Sequence, residues 1–162
     1  MSMVRSRWKP IVIAAAAATA FGMIGGLLTD TGIWYQGLIK PSWQPPDWAF
    51  APAWTLIFAT AAVAAVYAWR QAYTPAQRGW VIALFVLNGV FNSLWSTLFF
   101  VAKRPDWALI EVVLLWLSVL LPLLLFWARA RTASLYLIPY LLWVSFAAFL
   151  NWTVVQLNAP FA

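Results

Sequence analysis

Five long apolar stretches, joined mostly by short polar connectors, restrict this chain to very few folds. A helix needs about 20 consecutive apolar residues to cross about 30 Å of hydrocarbon. The pattern therefore predicts an all-α fold, a bundle of five transmembrane helices, forming a single membrane domain over residues 1–162. The predicted spans run from Ile11 to about Leu28, about Phe50 to Trp69, about Gly79 to Val101, about Trp107 to Trp127, and about Ser134 to Leu157.

The composition fits lipid as the main solvent. The chain is 65% hydrophobic and 9% charged, whereas soluble domains are about 45–50% apolar and about 25% charged. A net charge of +6 would suit nucleic acid, but the ten basic residues lie at segment ends and do not form one patch. We therefore expect no nucleic-acid partner, and we interpret these residues as anchors at phospholipid headgroups.

The absence of histidine and cysteine excludes several kinds of chemistry. Zinc sites of the usual Cys/His type cannot form. Ser-His-Asp and Cys-His nucleophile systems are excluded as well, and so is haem held by His or thiolate. We expect no metal site, no cofactor and no conventional acid–base catalytic group.

The basic residues also predict an orientation, because Lys and Arg accumulate in the short cytoplasmic connectors of membrane proteins. Seven fall on the N-terminal side of the predicted bundle and three on the other side. We therefore predict a cytoplasmic N-terminus if the chain lies in a plasma membrane. The seven are Arg5, Arg7, Lys9, Arg70, Arg78, Arg129 and Arg131, and the three are Lys40, Lys103 and Arg104.

One connector, residues 30–48, is much longer than the others and is rich in proline and aromatic residues. Long connectors without regular structure are usually functional or disordered, and Trp34, Tyr35 and Trp43 make disorder unlikely for this composition. Two interpretations are open. The segment is either an interfacial aromatic belt or a lid over a cavity that opens on its side of the membrane.

Aromatic and polar residues recur at helical spacing, so that they share faces of the predicted helices. Such aromatic walls with a few hydrogen-bond donors suit a planar macrocycle with carboxylate groups. Most of the 13 tryptophans must still be interface anchors, and we expect roughly three of them in a pocket, Trp54 and Trp143 first. The shared faces hold Trp54 and Phe58 on the second helix, Asn88, Asn92, Trp95, Ser96 and Phe99 on the third, and Tyr136, Tyr140, Trp143, Ala147 and Asn151 on the fifth.

Three polar residues inside the spans need separate interpretation. Asn92 and Asn151 are expected to face the bundle interior, because amides are costly in hydrocarbon. Whether they contact ligand or bond another helix is open. Glu111 lies near the start of the fourth span, and we expect it to be solvated or bonded to headgroups, and not to serve proton-coupled transport.

The aromatic connector and two later blocks together resemble the TspO/MBR family, which includes translocator proteins, tryptophan-rich sensory proteins and peripheral-type benzodiazepine receptors. Residues 34–48 have the pattern WYxxLxKPxWxPPxW and continue into Phe50 and residues 52–55. Residues 92–95 (NSLW) with the Phe99–Phe100 pair resemble the third-helix motif of the family. Residues 139–144 (PYLLWV), continuing to Asn151, resemble its fifth-helix motif.

The resemblance implies a five-helix bundle, commonly a homodimer, that binds flat hydrophobic ligands. It implies a receptor or sensor for porphyrins such as protoporphyrin IX, here a ligand and not a cofactor, in a bacterial inner membrane or, as an alternative, an outer membrane. Two other functions remain open, a porphyrin-degrading photo-oxidative enzyme with Trp54 and Trp143 as redox residues, and a transporter of tetrapyrroles or other lipophilic molecules. The family's ligand pocket maps onto Trp34, Tyr35, Trp54, Phe58, Asn92, Trp95, Trp143, Ala147 and Leu150.

Two further expectations concern sterols and assembly. The cholesterol motif of mitochondrial members requires Tyr followed by a basic residue, and this chain has Trp152 and Gln156 at those positions, so we do not expect sterol recognition there. Small residues four apart allow helices to approach closely in lipid. The resemblance favours a homodimer through Gly89 and Ser93 on the third helix, although this pair, like Gly22 and Gly26 on the first, could instead pack within the bundle.

Overall fold

The computed structural model describes residues 7–161 and consists of six α-helices. Five of them are long and apolar enough to cross a membrane, which confirms the predicted all-α five-helix bundle. A 3₁₀ turn, Asp47–Ala49, precedes α3, and a π-helical turn, Thr97–Val101, extends α4. The helices are α1 (Lys9–Leu28), α2 (Ile33–Gly37), α3 (Phe50–Arg70), α4 (Pro75–Ser96), α5 (Pro105–Trp127) and α6 (Arg131–Asn158).

Several helices extend beyond the predicted apolar spans. The third span was expected to begin near Gly79, but α4 begins at Pro75 because a capping box fixes its first turn. The backbone N–H of Gln77 donates to the Thr74 hydroxyl oxygen, and the backbone N–H of Thr74 donates to the Gln77 side chain, both at 3.2 Å. Hydropathy detects only the part of a helix that lies in hydrocarbon, and it misses such polar first turns.

The bundle is held together mainly by α5 and α6, which pack against each other along most of their length. α3 packs on α6, α4 packs on α5, and α1 lies against α3 and α4. The core contains Leu115 and Val119 of α5 and Leu137, Tyr140 and Val144 of α6. By contrast, α1 has no buried residue, so it closes one side of the molecule without contributing a buried core residue.

Polar side chains connect the helices inside the apolar core. The Asn88 amide donates to the Ser118 hydroxyl at 2.8 Å and accepts from the Tyr140 hydroxyl at 2.9 Å. The Ser134 hydroxyl donates to the Leu123 carbonyl at 2.7 Å. In lipid, such interhelical hydrogen bonds and close packing replace the hydrophobic driving force that water would supply. Asn88 therefore ties three helices together and does not belong to an open surface.

The expectation for Glu111 was wrong. Its side chain is buried at 5% exposure, and neither carboxyl oxygen has a hydrogen-bond partner among the described residues. Distance from the helix end did not decide its environment. Glu111 lies on the face of α5 that also carries the buried Ala108, Val112 and Leu115, and this face packs into the bundle.

The basic residues divide between the two ends of the bundle as the antiparallel helix order requires. The Arg70 guanidinium, at the end of α3, donates to the Arg7 carbonyl just before α1 at 3.4 Å. Arg5, counted in the orientation prediction, lies outside the described residues. The cytoplasmic position of the N-terminus remains a prediction.

Candidate functional site

A cavity of about 1050 Å³ lies between α1, α3, α4 and α6, beneath the connector of residues 30–48. Its volume is at the upper end of the range that is usual for small-molecule sites. Most of its wall is apolar. At the end nearest the connector, which we call the chamber, the wall is formed by Tyr35, Trp54, Phe58, Asn92, Trp95, Phe99, Phe100, Trp143, Ala147, Leu150 and Asn151.

The connector is an ordered lid over the chamber. Tyr35, on the short helix α2, is buried, and its hydroxyl donates to Asp47 at 3.2 Å and accepts from Gln44 at 3.1 Å. Gln36 donates to the other Asp47 oxygen at 3.0 Å, and the Lys40 ammonium lies 3.8 Å from the centre of the Tyr35 ring. Burial, together with the negative charge of Asp47, raises the pKa of Tyr35 to about 12.

The lid is hydrogen-bonded to the end of α6 through Asn158, and Trp43 of the lid stacks on Phe149 of α6 with ring centroids 5.1 Å apart. The Ile39 backbone N–H donates to Asn158 Oδ1, and Asn158 Nδ2 donates to the Ile39 carbonyl, both at 2.8 Å. The Asn158 amide thus satisfies both polar groups of one lid residue. Sequence reasoning missed Asn158, although an asparagine in the last turn of an apolar helix, opposite a long connector, was a usable signal.

Aromatic rings form a corner in the chamber wall. The Trp54 and Trp143 rings are perpendicular, with centroids 6.1 Å apart. Trp54 also stacks on Phe58 at 5.6 Å. The indole Nε1 of Trp143 is buried and has no hydrogen-bond partner among the described residues. Buried donors are rarely left unpaired, so this N–H is an exception in the chamber wall.

The two interior asparagines line the chamber and also bond other helices. Asn151 accepts from the Trp95 indole at 3.0 Å and donates to the Pro105 carbonyl at 2.9 Å. Asn92 donates to the Tyr140 hydroxyl at 3.3 Å. The two alternatives left open by the sequence, helix bonding and a place in the cavity wall, are therefore compatible.

The structure brings eight of the nine sequence-predicted pocket residues to the cavity. Trp34 is the exception, since its ring packs edge-on against Phe99 at 6.1 Å and does not line the cavity. The residues that were predicted to share one face of α6 do not all line the cavity. Tyr140 lies behind the wall in the core, and Tyr136 stacks on Tyr67 at 5.9 Å.

Lining residues that the sequence did not indicate come mainly from α1 and α3, with a few from the lid. Gln44 and Asp47 place polar atoms at the lid end of the cavity. On α1, glycines and alanines form most of the wall, including Ala14, Ala18 and Gly22. Among these residues, the small size of Gly22 was interpreted only as a helix-packing signal. The same property leaves space beside a helix that does not pack tightly.

Gly89, proposed for a dimer interface, lies within the bundle. It is buried, and a Cβ atom at this position would come within 2.5 Å of the Phe21 ring on α1. The missing side chain therefore makes room for α1 in the same chain. Ser93 donates back to the Gly89 carbonyl at 2.9 Å. The homodimer itself remains a prediction.

Fold and site together define an integral, multi-pass membrane protein with five spanning helices and a lidded, largely apolar cavity. Residues 12–157 match the sequence profile of the TspO/MBR family. The chain belongs to the TspO/MBR family, which confirms the resemblance seen in its motifs.

The alignments with three named relatives span nearly the whole chain. It is 36% identical over 150 residues to the tryptophan-rich protein TspO of Chlorobaculum tepidum, an alignment that covers 91% of this chain and 95% of the relative. It is 34% identical to protein CrtK of Rhodobacter capsulatus, with 90% and 89% covered. It is 30% identical to the translocator protein of Sus scrofa, with 93% and 91% covered.

Proposed function

We propose that this protein is a membrane receptor or sensor that binds porphyrins, such as protoporphyrin IX, and similar flat hydrophobic ligands in the chamber. The observation that carries this proposal is the perpendicular Trp54–Trp143 corner in the wall of a large apolar cavity. Aromatic rings prefer offset-stacked or edge-to-face contacts. A flat macrocycle seated in this corner stacks on one indole and meets the other at its edge.

The polar groups of the chamber suit the edges of such a ligand. Gln44 and Asp47 place polar side chains at the lid end of the cavity. The Asn92 amide lies in the wall of the same cavity and has a carbonyl oxygen that can accept from a ligand N–H. A few such groups in a mostly apolar pocket orient a ligand without adding a large desolvation cost.

A titration of intrinsic tryptophan fluorescence with protoporphyrin IX tests the proposal. The protein should be held in lipid nanodiscs, with empty nanodiscs as the control for partition of the porphyrin into lipid. We expect saturable quenching with a Kd in the micromolar range or below, which corresponds to about −8 kcal/mol or better. Quenching that rises linearly, as in a control protein of similar tryptophan content, would show that no site exists.

A second candidate function, light-dependent porphyrin oxidation, is favoured by one specific observation. Trp54 and Trp143 both line the chamber and contact each other, so both indoles are within reach of a bound ring. A light-excited porphyrin would take one electron from an indole and pass it to dissolved dioxygen, which becomes superoxide. The indole radical cation would then take an electron back from the porphyrin, and the porphyrin radical cation would combine with superoxide, so that the net change is oxidation of the porphyrin by dioxygen. Porphyrin absorption bands that decay no faster with protein than in detergent alone would reject this function.

A further inference from the structure

The cavity does not end at the chamber. Its wall continues along α3 from Phe58 to Arg70 and along α1 from Gly22 back to Ile11. We call this extension, bounded by residues 11–19 of α1 and 59–70 of α3, the α1–α3 groove. At 1.5 Å per residue, the distance from Phe58 to Arg70 is about 18 Å. The cavity therefore reaches from the lid to the opposite end of the bundle.

The groove differs from the chamber in chemistry. Its wall is formed largely by small aliphatic side chains, among them Ala14, Ala15, Ala18, Ala59 and Ala62. Along this stretch, as far as the described residues show, no aromatic ring lines the wall before Tyr67. An aliphatic wall gives a flat ring no aromatic surface on which to stack, but it suits a flexible hydrocarbon chain.

The far end of the groove is closed by fixed groups. The Tyr67 ring stacks on Tyr136 with centroids 5.9 Å apart. The Arg70 guanidinium bonds to the Arg7 carbonyl. A charged group at this position marks the membrane surface, so hydrocarbon must stop there. The available length of about 18 Å is close to half of the ~30 Å hydrocarbon core, which is the space that one lipid chain occupies.

We propose that the ligand of this protein carries a long hydrocarbon tail, with its flat ring in the chamber and its tail in the α1–α3 groove. This inference rests on the proposed function of the chamber and adds the chemical class of the ligand. The two parts form one continuous cavity with two chemistries, aromatic and polar beneath the lid, aliphatic beyond Phe58. A tailless ring fills only the first part.

The tail mainly determines which ligands bind in the cavity. Lipid chains are as apolar as the groove, so a tail that moves from the bilayer into the groove gains little hydrophobic free energy. What it gains is close packing against the alanine wall. Ala15, Ala59 and Val63 line the groove from both helices and are themselves accessible, so a tail in the groove can contact them.

Two commercially available ligands with the same ring test the proposal. Pheophytin a carries a long phytyl tail as an ester, and pheophorbide a is the corresponding free acid without the tail. The groove is narrowed from either side by Ala18→Leu on α1 or Ala62→Leu on α3. The matched control is Ala17→Leu, which adds the same volume to the adjacent exposed residue that does not line the cavity. Affinities are measured by fluorescence quenching in nanodiscs.

We expect both groove variants to weaken pheophytin binding by roughly tenfold, as overpacking of a well-fitted site does, while pheophorbide binding stays within about twofold of wild type. The Ala17→Leu protein should bind both ligands normally. Retained pheophorbide binding also shows that a variant is folded. Because the two groove variants lie on different helices, the test still holds if one of them does not fold.

Three outcomes would overturn the inference. Pheophytin that binds equally well to wild type and both groove variants means that its tail lies elsewhere, for example in the bilayer, with lipid chains in the groove. If pheophorbide binds wild type and pheophytin does not, the tailed ligand is excluded, but the proposed function of the chamber stands. Failure of both ligands to bind a wild type that still binds protoporphyrin IX would overturn the inference alone, whereas failure of protoporphyrin IX as well would remove the proposed function and, with it, the inference.

Discussion

At the scale of single residues, the unpaired indole of Trp143 is the most informative group in the chamber. Its ring meets Trp54 at a right angle, and its Nε1 is buried without a partner among the described residues. Replacing a single stacked aromatic ring with a smaller one affects contacts worth about 0.5–1.5 kcal/mol. The electron-donating property of indole, by contrast, is lost completely in phenylalanine.

Trp143→Phe should therefore weaken protoporphyrin IX binding by only about two- to tenfold and abolish light-dependent porphyrin decay. Trp152→Phe is the control, because Trp152 lies on the same helix, is exposed and does not line the cavity. Binding is followed by quenching and photochemistry by the porphyrin absorption bands. Loss of both properties together would show a purely structural role, and loss of neither would place the site elsewhere.

The raised pKa of Tyr35 predicts how the stability of the closed lid depends on pH. Burial and the charge of Asp47 raise its pKa from 10.0 to about 12. A raised folded-state pKa means that the closed lid holds the proton more tightly than the open lid. The resulting stabilisation is complete below pH 10 and is lost as the pH rises from 10 towards 12.

We expect a tyrosinate absorbance step near pH 12 that disappears in Tyr35→Phe. In the wild type, protection of lid amides from hydrogen exchange, relative to the bundle helices, should fall through the same range. Tyr73→Phe, at an exposed position between α3 and α4, is the control. A Tyr35 that titrates like the exposed tyrosines would contradict the hydrogen-bonded, buried lid.

The sequence identified Trp54 and Trp143 because helical spacing and family motifs agreed at both positions. It placed Trp34 in the pocket as well, but neighbouring residues of a helix point about 100° apart. Only Tyr35 of that pair can face inward, and Trp34 packs against Phe99. The expectation for Glu111 was wrong for a similar reason. Its position along the helix was known from the sequence, but the face of the helix on which it lies was not.

At the scale of secondary-structure elements, the lid depends on Asn158. This side chain makes two hydrogen bonds to Ile39, and a typical intramolecular hydrogen bond contributes about 0.5–1.5 kcal/mol. The sequence could mark Asn158 as a candidate but could not pair it with Ile39, because the two residues are 119 apart and the contact uses only the Ile39 backbone.

Asn158→Ala should open the lid more often and increase the porphyrin dissociation rate by roughly tenfold, the kinetic effect of losing two such hydrogen bonds. Gln156→Ala, an exposed polar position in the same turn, is the control and should leave the rate unchanged. Stopped-flow displacement of bound protoporphyrin IX measures the rate. An unchanged rate for Asn158→Ala would show that ligands do not leave past the lid.

At the scale of the whole molecule, the predicted homodimer needs a different contact from the one first expected. The space beside Gly89 is occupied by Phe21 of the same chain. A larger residue at position 89 would therefore disturb the bundle whether or not a dimer forms. The neighbouring face of α4 is exposed at Val86, Val90 and Leu94, which are spaced four residues apart. This stripe is where a second α4 helix can pack.

Because the chain has no cysteine, a single Val90→Cys substitution gives a clean cross-linking test. If α4 forms the interface, mild oxidation in native membranes should give a disulfide-linked dimer. Leu124→Cys, equally exposed to lipid on α5, should not cross-link. A cross-link at Leu124 and none at Val90 would move the interface to another helix.

The central claim is that a porphyrin occupies the chamber, and filling the chamber tests it most directly. Ala147 lines the wall one turn from Trp143, so Ala147→Phe puts an extra ring where the macrocycle should lie. Ala83→Phe adds the same ring to an exposed position outside the cavity. In protoporphyrin IX titrations, we predict that Ala147→Phe weakens binding by at least about tenfold and that Ala83→Phe matches wild type. Equal affinity for all three proteins would contradict the chamber as the binding site.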